Sequence, residues 1–223
     1  MKQIDEFFTR FNLETNYKGE TIKDSHKKEE YKKNLLTLLN LEKFYSNNQI
    51  DSIANNFIDY IIENDIKIHY EDTTWYAKVL CSFDYEGKKY EATLKLNTEK
   101  IQGFRYKWVI ADIDSPFFKN YPIIPEDSII ISPADHGIGF ITLPETLNLN
   151  NTAVSTTFSK GYSRNYLFIF DYLMTRNKIK IKSIKKVIYH FEVKNYSFDV
   201  ERIEKNDGYN QGWLINNIKH HEI

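Results

Sequence analysis

The sequence predicts an α+β protein of two related units. Each unit is read as a helix packed on a curved, cone-like antiparallel sheet, with a Pro-rich connector between the two. Three observations carry this. Apolar residues recur with a helical period in two stretches, and the period drops to two in the stretches that follow. The first alternating stretch folds back about a short turn in a register that puts its apolar residues on one face. All five prolines lie between Pro116 and Pro144.

In the first unit, Tyr31, Leu35, Leu38, Leu39 and the run from Leu41 to Phe44 keep a helical period. Ser46 and Gln49 have capping-box spacing, which predicts the start of a second helix. Ile50, Ile53, Ala54, Phe57, Ile58 and Ile61 form its apolar face. Alternation then begins at Ala77, Val79, Cys81, Phe83 and Tyr85, turns at Glu86-Gly87, and returns through Tyr90, Ala92, Leu94 and Leu96. That turn sets Phe83 opposite Tyr90, Cys81 opposite Ala92, Val79 opposite Leu94 and Asp84 opposite Lys89. Inside this alternation Cys81 reads as a buried structural thiol. A further strand, Arg105 to Ile113, carries Trp108.

Proline removes a backbone donor and fixes φ, so its confinement to one window marks a connector. The division is 1–114 for the first unit, 115–147 for the connector and 148–223 for the second unit. In the second, Ser163 is a candidate cap for an apolar helix from Tyr166 to Met174. Phe170-Asp171-Tyr172-Leu173 parallels Ile58-Asp59-Tyr60-Ile61, and Asn177 to Ile181 parallels Asn64 to Ile68. Val187, Tyr189, Phe191 and Val193 alternate into a turn at Lys194-Asn195, and Tyr196, Phe198 and Val200 return. Gly212 to Ile218, with Trp213, parallels Lys107 to Ile113, with Trp108. The same four parts in the same order predict a tandem repeat.

A helix followed by a meander ending in Trp-x-Ile-x-x-Ile (Trp108, Ile110, Ile113 and Trp213, Ile215, Ile218) resembles the nuclear transport factor 2-like (cystatin-like) superfamily, over about 60 residues of each half. The resemblance implies a helix wrapped by a bent sheet, forming a cone with a pocket. Members include small-molecule isomerases and dehydratases, subunit-association domains and non-catalytic binding modules, so fold alone does not choose among them. Its enzymes generally use Asp, His or Tyr inside the cone. The matching side chains to inspect are Asp59, Asp171, Tyr60, Tyr172 and His69.

Other candidates come from the residues themselves. Asp135-His136-Gly137-Ile138-Gly139 pairs an Asp with a His beside glycines that let a ligand approach the backbone. Against this stands a plain turn. His190 falls opposite Asp199 in the second hairpin, a base with its orienter, or a solvated cross-strand pair. Lys178, Lys180, Lys182, Lys185 and Lys186 suit an anion patch or, better, a lysine-protected edge strand. Aromatics such as Trp75, Tyr76, Tyr106 and Trp108 could stack a base or sugar, but their places on the apolar faces favour core.

Thirty basic against 31 acidic residues argue against a nucleic-acid partner. No apolar run approaches the roughly 20 residues of a membrane helix. One Cys excludes an internal disulfide, and scattered His residues suggest no metal. The first 15 residues lack the apolar core of a signal peptide, so a cytoplasmic location is the default expectation. The leading functional expectation is a non-catalytic binding or interaction protein for a small molecule or protein. Its ligand-binding candidates are Asp135, His136, Tyr60, Tyr172 and His69, and no catalytic residue, cofactor or metal is assigned. The alternative is a small cone-fold hydrolase or isomerase acting on a hydrophobic small molecule. Either is compatible with an oligomer.

Overall fold

A computed structural model describes residues 4–22, 28–101, 105–119, 166–204 and 210–221. The elements in chain order are α1 (Ile4–Phe11), α2 (Lys28–Leu36), α3 (Leu41–Phe44), β1 (Tyr45–Ser46), β2 (Gln49–Ile50), α4 (Ser52–Glu63), β3 (Trp75–Tyr85), β4 (Lys88–Lys100), β5 (Tyr106–Asp114), α5 (Pro116–Lys119), α6 (Tyr166–Thr175), β6 (Ile179–Val193), β7 (Tyr196–Ile203) and β8 (Gly212–His220). The α+β class predicted from the alternating periods is present. No helix among the described residues is long and apolar enough to cross a membrane.

Six strands form one sheet in the order β5-β4-β3-β6-β7-β8. The β3–β4 turn falls at Glu86-Gly87, with φ of 51° and 77°, the left-handed pair that a two-residue hairpin needs. Beside it the rings of Phe83 and Tyr90 stack at 5.7 Å, as the predicted register requires. In the second hairpin, His190 pairs with Asp199, Phe191 with Phe198 and Val193 with Tyr196, also as predicted. β6 stands between β3 and β7 in the strand order, and β7 pairs with it over Ile188–Val193, beyond the run from Lys178 to Lys186, whose lysines are exposed.

Two helix boundaries also differ from expectation. Helix α4 is capped by Asp51, whose carboxylate accepts from the Ile53 N–H at 2.8 Å. Ser46 and Gln49 instead pair across the β1–β2 hairpin. Asn47 and Asn48 between them adopt φ of 51° and 60°, which asparagine tolerates better than most residues. The helical period through Tyr31 is broken after Leu36. Leu38 to Asn40 runs beside β8 instead: Ile215 N–H donates to the Leu38 carbonyl at 2.7 Å, and Asn40 N–H to the Ile215 carbonyl at 2.9 Å. Leu38 and Leu39 are fully buried there.

The chain makes two compact units from interleaved segments. One comprises Met1–Val79, Lys95–Ile110 and Lys186–Ile223, and the other Leu80–Leu94 and Ala111–Lys185. In the first, the rings of Phe7, Phe11 and Phe57 meet Phe191 and Phe198 at 5.3 to 5.8 Å. Helix α4 therefore packs on β7 and β8. The apolar face was legible, but the sheet it covers was not, since periodicity carries no partner information. In the second unit, Phe118 stacks on Phe83 at 5.9 Å and meets Phe170 of α6 edge-on at 6.1 Å. Pro116 opens α5, where its missing N–H costs nothing. The other four prolines lie outside the described residues. Cys81 is buried in this core, and burial pushes its thiol pKa up.

Candidate functional site

The loop between α4 and β3 has no apolar period, yet it is tied down at each end of its course. Asn12 holds Ile68 in both directions, donating to its carbonyl at 2.8 Å and accepting from its N–H at 3.0 Å. Asp72 accepts the His69 N–H at 2.6 Å. Thr98 of β4 donates to the Tyr70 carbonyl at 3.0 Å. The Tyr70 hydroxyl donates to Asp5 of α1. A segment fixed at this many points presents its side chains with little ordering left for a ligand to impose.

These ties build a cleft of about 280 Å³ within the first unit. Its aromatic wall is Tyr70, Trp75 and Tyr106; Glu71 and Asp72 supply carboxylates; Thr73, Asn97 and Thr98 supply short polar groups; Lys100 supplies an ammonium. Tyr70 stacks on Phe8 at 4.5 Å and meets Trp75 edge-on at 5.6 Å. Trp75 in turn lies flat on Phe191 at 5.5 Å and edge-on to Trp108 at 5.3 Å. The wall is thus continuous with the core. The Tyr106 hydroxyl donates to Glu71 at 2.7 Å, and that bond raises its pKa. Burial, and then the bond to Asp5, raises that of Tyr70. Both phenols are neutral donors at ordinary pH. Trp75 is 3% exposed, and its indole N–H is buried with no hydrogen-bond partner among the described residues. An unpaired buried donor costs about 1–3 kcal/mol and is uncommon in native proteins.

A second polar cluster lies on the sheet face opposite Phe191 and Phe198. His190 Nδ1 is 2.7 Å from Asp199 Oδ1, and Asn217 donates to Asp199 Oδ2 at 3.1 Å. The two side chains are 15% and 19% exposed, so the pair is largely withdrawn from water. The Tyr76 ring covers His190 at 4.9 Å, and the Lys95 ammonium sits 4.1 Å from that ring. Burial would raise the Asp199 pKa, but hydrogen bonds from His190 and Asn217 outweigh it and hold the carboxyl below its ordinary value. An ionised Asp199 accepts from Nδ1–H, which leaves His190 Nε2 as the acceptor when the ring is neutral.

The residues singled out in the sequence are dispersed. Tyr60 lines an open groove of about 560 Å³ with Tyr196 and His220, where Asp59 is held by Lys32 at 2.6 Å. His69 is exposed, and its backbone N–H, not its ring, serves the cleft by fixing Asp72. Tyr172 and Asp171 lie on α6 in the other unit, with Arg176 over the Tyr172 ring at 5.8 Å. Asp135 and His136 lie outside the described residues. Of the aromatics weighed from sequence, Trp75 is buried in the core, the favoured reading, and also borders the cleft; Tyr106 is half-buried in the cleft wall, and Trp108 is 41% exposed. Tyr70, Glu71, Asp72, Thr73 and Asn97 were missed. The available signal was a polar run ending at a tryptophan, Tyr70 to Trp75, between two periodic segments. Among the described residues no cluster of His, Cys, Asp and Glu is arranged to hold a metal. No family model, curated protein or solved structure matches the chain.

Proposed function

We propose that the chain is a non-catalytic binding protein whose ligand is a small molecule held in the cleft beside Tyr70 and Tyr106. The observation that carries this is the convergence of aromatic wall and hydrogen-bonding groups on a loop pinned to α1, β4 and the Asn12 side chain. A site with so little to reorganise suits retention of a ligand. The resemblance to the nuclear transport factor 2-like superfamily, with its ligand-holding cone, agrees with this reading and belongs to the same proposal. So does the tandem repeat, which draws support from the strand order: β3-β4-β5 and β6-β7-β8 run outward from the β3–β6 pair. A panel of metabolites is titrated while tryptophan fluorescence is followed. Saturable change that Tyr106→Ala removes is the expected result. No response across the panel, or a response that Tyr106→Ala leaves intact, overturns the proposal.

The rival reading, a small-molecule hydrolase or isomerase, draws on the His190–Asp199 pair, which has the form of a base and its orienter. Turnover of an ester or carbonyl substrate that His190→Gln abolishes, with the fold unchanged by circular dichroism, would install it in place of the binding reading.

A further inference from the structure

We infer that β5 is the contact of a homodimer, pairing antiparallel with β5 of a second copy of this chain. The contact stands whether or not the cleft binds a ligand. The sheet has two ends, and the chain treats them differently. At β8, Leu38 to Asn40 lies alongside and makes two backbone hydrogen bonds with Ile215. At β5, no strand among the described residues takes the outer side. A bare edge offers its backbone donors and acceptors to another strand, and proteins usually blunt it with proline, a very short strand or a covering segment. β5 is nine residues long and contains no proline. Its middle carries Trp108 and Ile110, which are 41% and 40% exposed. Trp108 is held by edge-on contact with Trp75 at 5.3 Å and by the Tyr189 ring at 6.1 Å, so little ordering is left for a partner to impose. The occupant follows from the order of residues along the strand. It reads basic, apolar, acidic: Arg105 and Lys107, then Trp108 to Ile110, then Asp112 and Asp114. All four charged side chains are exposed. Reversed, that order is its own complement. Antiparallel pairing about Val109 sets each Trp108 opposite Ile110 of the other copy, and the basic end of each strand beside the acidic end of the other. Parallel pairing would set like charges together. Lys107 and Asp114 have partners within the chain, Glu99 at 3.2 Å and Lys119 at 3.6 Å, but these are exposed pairs that exchange at little cost.

The test is the mass of the full chain in solution, followed by analytical ultracentrifugation over a wide concentration range. The expected result is a reversible species of twice the chain mass. Trp108→Lys and Ile110→Lys should each weaken it about tenfold or more, as loss of a central apolar contact does. Ile110→Lys breaks no aromatic contact and so guards against misfolding of the tryptophan variant. Two charge variants read the orientation. Arg105→Glu with Lys107→Glu makes both ends of β5 acidic, and Asp112→Lys with Asp114→Lys makes both ends basic. Each should be monomeric alone, and the two mixed should form a dimer with one chain of each kind. Recovery on mixing also shows that both are folded. Wild type that stays monomeric throughout overturns the proposal, whether the edge is bare or taken by another segment or another protein. A dimer that Ile110→Lys leaves unchanged overturns it too. So do charge variants that dimerise as well alone as mixed, or that fail to associate on mixing while wild type dimerises.

Discussion

Asp199 shows how one side chain joins sequence, packing and pH. The alternation of the second hairpin places it opposite His190, so the pairing was legible from the sequence. Its withdrawal from water was not. That depends on the Tyr76 ring, which reaches His190 only because β3 neighbours β6, and nothing in the alternation states which strand comes next. The cleft was hidden for a similar reason: the Tyr70–Thr73 loop meets Asn97 and Tyr106, which lie on strands much later in the chain. The sign of the pH effect follows from the lowered Asp199 pKa. A carboxyl depressed on folding contributes stability above its unfolded pKa and loses it as pH falls through the folded value. In urea, wild type should therefore exceed Asp199→Asn in midpoint near neutrality, and the gap should close as pH drops below about 4. A gap that is the same at both ends of the range would show that the ionised carboxylate is not the stabilising species.

At the scale of elements, turn chemistry decided more than periodicity. Glu86-Gly87 was read as a two-residue turn and is one. Asn47-Asn48 is another, and it was masked by a capping-box spacing that its two neighbours, Ser46 and Gln49, happen to share. Both turns rest on left-handed backbone. Gly87 has open space where a Cβ would stand, so Gly87→Ala tests backbone conformation without steric clash. It should cost about 1–2 kcal/mol in denaturant unfolding, and Gly87→Asn distinctly less, because asparagine visits this region more readily. Equal losses for the two would point to something other than φ. The cap of α4 makes a parallel case. Asp51→Ala removes the acceptor of the Ile53 N–H and should cost about 1 kcal/mol, with Asp51→Ser retaining most of it. Leu38 to Asn40 explains the break in the long predicted helix: two buried leucines and two backbone bonds to Ile215 outweigh one more helical turn.

At the scale of the whole molecule, the class was legible and the partnering of elements was not. Alternation identified the long strands of both meanders, and a helical period identified the apolar face of α4. The repeat predicts that each helix covers its own hairpin, whereas Phe57 of α4 packs on Tyr196 and Phe198. Phe198 is the hub of that core, touching Phe7, Phe11, Phe57 and Phe191. Phe198→Ala should therefore lower stability by about 3–5 kcal/mol, near the top of what one truncation does. A loss below about 1 kcal/mol, read from the same urea curves, would mean the site refills by collapse.

The late arrival of those partners has a consequence during synthesis. Helix α4 leaves the ribosome long before Phe198 and Ile215 are polymerised. At 5–20 residues per second the delay is roughly 8–30 s, during which the apolar faces of α1 and α4 lack the strands that cover them. The nascent polypeptide should behave as a chaperone client over that interval. Chains stalled with β4 just emerged should cross-link to a ribosome-associated chaperone and be cut by protease within α4. Chains stalled after β8 has cleared the exit tunnel should do neither.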